Sequence, residues 1–139
     1  MSTTGGTGSY TAFQNGVVFT STATGAHAVI GDIATAWARN GNELGPLGWP
    51  TTDRKRTTTG DGWYVTFQNG VITSSVDTGA HAVTGAIATA WARDGREAGP
   101  LGYPTTDAAL DADGNQRVDF QHGYAVQAVG GTVKITVTD

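Results

Sequence analysis

Three stretches of the chain alternate short β-prone runs around a polar turn: "FQNGVVFTS" (13–21), "FQNGVITSS" (67–75) and "FQHGYAVQA" (120–128). Asn15-Gly16 and Asn69-Gly70 supply residues that tolerate positive φ, so the first two stretches read as hairpins with tight primed turns. His122-Gly123 keeps the glycine and predicts a third hairpin, with His122 facing solvent. "AHAV", at 26–29 and 80–83, adds a short extended piece. The spacing then changes. In "GDIATAWARNG" and "GAIATAWARDG" the large apolar residues Ile33/Trp37 and Ile87/Trp91 stand four apart on an alanine background, which predicts a helix of about nine residues with one buried stripe. Gly41 and Gly95 stop it, and Arg39 and Arg93 fall in the last turn, where a cation suits the helix dipole. "GPLGWPTTD" (45–53) and "GPLGYPTTD" (99–107) cannot continue a helix or join the middle of a sheet, because their prolines lack donors. They read as ordered loops, with the aspartate accepting local backbone N–H groups to close the turn.

These segments recur at a fixed interval. Residues 24–53 align with 78–107 without a gap and differ only at 30, 32, 40, 42, 44 and 49. The third hairpin stretch is followed by "VGGTVKITVTD" in place of a further helix and loop. A hairpin alone and a helix of this length alone are both marginal, so each unit needs its neighbour. The third stretch then covers the open side of the second unit, with "TVKITV" finishing a sheet there. The expected architecture is α+β. Tandem pseudo-repeats of β-hairpin, short helix and Gly/Pro loop form a single compact domain over 9–139, closed by a half-repeat. Repeat one spans 9–62, repeat two 63–116 and the capping half-repeat 117–139, behind a flexible polar tail at 1–8.

Composition narrows the function classes. Among 139 residues, 14% are charged, 21 are glycine and none is cysteine, and the net charge is −4. Disulfides and thiolate chemistry are excluded. The single basic run, Arg54-Lys55-Arg56, is too short to track a phosphate backbone and reads as a solvated loop, so nucleic acid is not an expected partner. No apolar stretch approaches the ~20 residues of a spanning helix, and "MSTTGGTGS" lacks the apolar core of a secretory leader. Membrane insertion is not expected.

The string "FQ-x-G", then "TGAH-x-V-x-G-x-I-x-x-x-W", then "G-x-x-E-x-G-x-LG-aromatic-P-T-T-D", resembles the LGFP repeat family. The resemblance covers 13–53 and 67–107 fully and 113–124 as the start of another copy, which then lacks "TGAH", the tryptophan and the "LGxP" loop. It implies a non-catalytic module of actinobacterial secreted proteins that holds a host enzyme domain at the cell envelope by contacting wall polysaccharide such as arabinogalactan. It also implies an extracellular or cell-wall-associated location. The alternative class is a protein-interaction or structural spacer domain of a secreted enzyme.

The candidate ligand-binding residues are Trp49, Tyr103, His27, His81, Asp53, Asp107, Trp63 and Tyr64. Trp49 and Tyr103 sit between glycine and proline in the two loops. Their rings are suited either to wedge between units or to stack on sugar C–H faces, with carboxylates and amides nearby for hydroxyls. Trp63 and Tyr64 open the second hairpin, toward which the first loop runs. Two equivalent clefts are expected, where loop 45–53 meets hairpin 64–73 and where loop 99–107 meets hairpin 118–127. Weak sugar contacts gain from two sites through effective concentration. His27 and His81 suit a half-buried hydrogen bond to a neighbouring unit's backbone, or a polar contact in a sugar cleft. Zinc is not expected, since paired-histidine spacings and cysteines are missing. Catalysis is not expected either. Glu43/Glu97 and Asp53/Asp107 recur in register, whereas an active site assembles different roles once. "DADGN" (111–115) opens like a calcium loop but lacks the distal glutamate, so Asp111, Asp113 and Asn115 read as an Asx-rich turn. No cofactor is expected.

Overall fold

The computed structural model describes residues 9–13, 16–21, 25–41, 45–57, 59–60, 62–128 and 131–138. The tail 1–8, Asn15 of the first turn and Glu43 lie outside them. Three antiparallel sheets follow one another along the chain. The first is a meander of β1 (Ser9–Phe13), β2 (Gly16–Ser21) and β3 (Gly25–Ile30), leading directly into α1 (Gly31–Arg39). The second adds a two-residue lead-in: β4 (Lys55–Arg56), β5 (Gly62–Phe67), β6 (Gly70–Ser75) and β7 (Gly79–Thr84), then α2 (Gly85–Arg93). The third is β8 (Ala109–Leu110), β9 (Gln116–Phe120), β10 (Gly123–Gln127) and β11 (Val133–Val137), with no helix after it among the described residues. The architecture is α+β with repeats, and both helices have the expected length.

Three local expectations change. "GAHAV" is a full strand in each unit, so the unit is a three-stranded meander, not a hairpin. The basic run is not simply a solvated loop: Lys55 and Arg56 pair with Tyr64 and Trp63, and the Arg54 and Arg56 guanidiniums lie 4.2 and 4.3 Å from the Trp63 ring centroid. The turn between β5 and β6 is Gln68–Asn69, and Phe67 pairs directly with Gly70. Neither Asn69 nor Gly70 has positive φ. Gly70 is required for a different reason, because a Cβ there would lie 2.4 Å from the Val83 carbonyl oxygen and 2.9 Å from Leu47 Cδ2. Gly123 is pressed in the same way, by Thr136 O at 2.0 Å and Leu101 Cδ2 at 2.9 Å.

The core lies between units. α1 presents Ile33, Ala36 and Trp37, which are buried with Leu47 and Trp49 of the first loop and with Val65, Phe67, Ile72, Ala80 and Ala82 of the second sheet. α2 presents Ile87 and Trp91 to Leu101, Val118, Phe120 and Ala125, with Val133 and Ile135 of β11 packed alongside. As anticipated, the "TVKITV" strand closes the second helix. In each joint a helix tryptophan meets the phenylalanine of the next unit's "FQ", with centroids 5.3 Å apart in both Trp37–Phe67 and Trp91–Phe120.

Candidate functional site

The "GPLG-aromatic-P" loops are the joints themselves. The Trp37 and Trp91 indole N–H groups donate to the carbonyls of Gly48 and Gly102, each at 3.2 Å. From the far side, the hairpin tip grips the same loop. Gln68 N donates to Trp49 O and Asn69 N to Leu47 O, while the Gln68 side-chain oxygen accepts from Trp49 N at 3.1 Å. The second joint repeats the set with Gln121, His122, Tyr103 and Leu101. Gly48 and Gly102 both have φ of +76°, and a Cβ on either would stand 2.7 Å from the oxygen of that glutamine. Pro50 and Pro104 bridge to Phe67 and Phe120, so the loop borders the next sheet at an edge, where a missing donor is tolerated.

Trp49 and Tyr103 are accordingly inside, 9% and 3% exposed. Of the two uses open to these rings, wedging between units is the one the structure shows. The Tyr103 hydroxyl also bonds Thr57 Oγ1 at 2.7 Å and Thr59 Oγ1 at 3.1 Å, tying the loop back to the segment that precedes β5. Neither ring offers a face to a ligand, and the two expected loop–hairpin clefts are packed joints.

His27 and Asp53, and His81 and Asp107, are brought together pairwise. The aspartates do not close a local turn. They reach back to the strand before the helix of their own unit. Asp53 Oδ1 accepts from Ala28 N at 3.2 Å and faces His27 Nδ1 at 3.0 Å. Asp107 Oδ1 accepts from Ala82 N at 3.1 Å and faces His81 Nδ1 at 3.3 Å. The preceding threonines point forward instead, Thr52 and Thr106 accepting from Thr66 N and Asp119 N of the next unit's sheet. His81 Nε2 lies 2.7 Å from the Thr78 carbonyl, so its partners belong to its own unit and not to a neighbour.

One pair then departs from its copy. Asp107 receives a two-pronged contact from Arg39, Nε to Oδ2 at 2.8 Å and Nη2 to Oδ1 at 3.0 Å, while Nη2 also donates to Ala80 O at 2.9 Å. Asn40 Nδ2 adds a longer bond to Oδ2 at 3.4 Å. Burial pushes the Asp107 carboxyl up; the Arg39 guanidinium, the Ala82 N–H and the His81 ring outweigh it and hold the group below its ordinary value. The Arg39 pKa is raised chiefly by the same hydrogen bond.

Trp63 carries two guanidiniums and Tyr64 carries that of Arg96, 4.2 Å from its centroid. Arg96 leads to a feature that the sequence reading missed. A cleft of about 300 Å³ opens between the β5–β6 tip and the outer side of α2, lined by Thr66, Gln68, Asn69, Thr89, Ala92 and Arg96 among others. Gln68 and Asn69 were visible only as turn residues. Arg96 has a left-handed backbone, φ +53°, in the 3₁₀ turn Arg96–Ala98. That turn also buries Glu97, whose carboxylate oxygens have no hydrogen-bond donor among the described residues; Arg96 Nε is 3.8 Å away. No three His, Cys, Asp or Glu groups converge as a metal site among the described residues. Asp111 Oδ1 accepts from Asp113 N and Asn115 N at 2.9 and 3.0 Å, which makes the anticipated Asx turn.

The LGFP repeat model matches the chain twice, over residues 1–45 and 47–99. The chain belongs to the LGFP repeat family. An LGFP repeat is a repeat module and not a known catalytic family; this chain has Trp49 and Tyr103 where the family's name has phenylalanine. A comparison with curated proteins finds no match.

Proposed function

We propose that this LGFP chain is a non-catalytic module that binds envelope polysaccharide, with an arabinogalactan-like polymer as its class of ligand, and that it works outside the cell at the wall. The observation carrying this reading is the cleft beside α2. Two threonines, two side-chain amides and one guanidinium line it together with Phe67, Val71 and alanines. Such a lining suits a neutral, hydroxyl-rich ligand better than an anion or a lipid. Gln68 uses its oxygen on Trp49 N, and Asn69 uses one amide hydrogen on the Pro46 carbonyl. Each keeps hydrogen-bonding capacity for a ligand. Tyr64 supports the cleft from behind Arg96.

The test is co-sedimentation with purified arabinogalactan. Thr89→Ala with Arg96→Ala is expected to weaken binding about tenfold or more, the loss of roughly two hydrogen bonds; tryptophan fluorescence checks the fold, since Arg96 also stands 3.8 Å from the buried Glu97. Undiminished binding by the folded double variant sinks the assignment. The burial of Trp49 and Tyr103 favours the second reading, a structural spacer within a secreted enzyme. In that case no wall fraction is retained by the unaltered chain.

A further inference from the structure

The second unit's aspartate is filled by the first unit's arginine, and the first unit's aspartate presents the same acceptor set unfilled. Asp53 Oδ1 holds Ala28 N and faces His27, as Asp107 Oδ1 holds Ala82 N and faces His81. Asp53 Oδ2 has no donor among the described residues, whereas Asp107 Oδ2 takes Arg39 Nε and Asn40 Nδ2. The Asp53 side chain is 68% exposed against 22% for Asp107. Ala26, the counterpart of Ala80 whose carbonyl also holds Arg39, is exposed.

We infer that the Asp53–His27 face is a docking port for the helix C-terminus of a further LGFP unit joined ahead of residue 9, whose arginine forks onto Asp53 as Arg39 does onto Asp107. The occupant is specified by the joint already in the molecule. The incoming helix must end Trp-Ala-Arg, so that an apolar stripe packs on the sheet while a cation reaches the carboxylate. A second copy in trans does not meet the requirement, since α1 is packed against β6 and β7, and α2 against β10 and β11. The third sheet lacks such a port among the described residues. The register that places Tyr124 at the position of Val71 puts Lys134 at the position of His81. Arg93, the counterpart of Arg39, is exposed without an acidic partner among the described residues. The port is thus a feature of the first sheet that the third does not repeat at the position of Lys134.

The experiment duplicates residues 9–62 ahead of residue 9 of the full chain and measures equilibrium unfolding in a double-mutant cycle. Its two changes are Arg39→Met in the added copy and Asp53→Asn in the original unit. A coupling of about tenfold in the unfolding constant is expected, with Asp53→Asn nearly silent in the unextended chain. The Ala28 amide is expected to exchange more slowly in the extended chain than in the original. Coupling indistinguishable from onefold, or an added copy that stays unfolded beside an intact original, overturns the inference. So does a dimer of the unextended chain that Asp53→Asn dissolves.

Discussion

Gly102 shows how little freedom one position in the joint has. Its φ of +76° is a conformation that side-chain-bearing residues adopt at a cost of about 1 kcal/mol or more. The Gln121 oxygen that would meet its Cβ at 2.7 Å is already fixed by Tyr103 N at 3.0 Å. Gly102→Ala is therefore expected to lower stability by about 2–4 kcal/mol, since strain and the loss of the glutamine contact act together. Urea unfolding measures it, and a loss below about 1 kcal/mol means that the glutamine moves aside freely. Tyr103 and Trp49 differ for a similarly local reason. The tyrosine hydroxyl needs partners once buried, and Thr57 and Thr59 supply them. The sequence showed that both positions require a flat ring but not that the ring is covered. Burial depends on Gln68 and Gln121, whose side chains look like ordinary turn amides until the loop is seen docked on them.

The helices connect the units through both an apolar stripe and a terminal cation. The stripe and the stop signals were legible, because Ile33/Trp37, Ile87/Trp91 and the following glycines state a periodicity and its end. The docking of Arg39 across the joint was not, because Arg93 carries the same local signature without such a partner. Long-range pairing depends on what the neighbouring unit offers. The Arg39–Asp107 contact also fixes an acid dependence. A carboxyl whose pKa is lower in the folded chain stabilises it above its unfolded pKa of about 3.9, and that contribution is lost as pH falls through the folded value. Arg39→Met is thus expected to cost about 1–2 kcal/mol at pH 7, reduced from a buried pair by the half-exposed guanidinium. The difference from the parent chain should shrink as the pH falls below about 4. A difference that stays constant over that range points to lost packing instead.

Across the whole molecule, the alternation of sheets and helices places each hydrophobic core between consecutive units, so no unit is complete alone. Phe120→Ala removes the ring that meets Trp91, and truncation of a nearly buried phenylalanine costs about 3–5 kcal/mol. Because α2 also packs on β6 and β7, the loss is expected to lower the midpoint of the entire chain in one transition, seen equally by tryptophan fluorescence and far-ultraviolet dichroism. Separate transitions for the two probes mean that the first joint stands without the second. The repeat, the cap and the α+β class were open to sequence reading because they are written as spacing. The cleft beside α2 was not, since it arises only where one unit's hairpin tip meets the next helix.

The Ser74 hydroxyl donates to Asp32 at the start of α1, while the corresponding positions of the second joint hold Gln127 and Ala86. Joining the first helix directly to the cap would set Asp32 against Gln127 in place of Ser74. The first joint therefore carries a polar tie that the residues of the second cannot form in the same way. The order of the units is thereby part of the protein's identity, and a shuffled array would keep its fold while losing a contact at each mismatched seam.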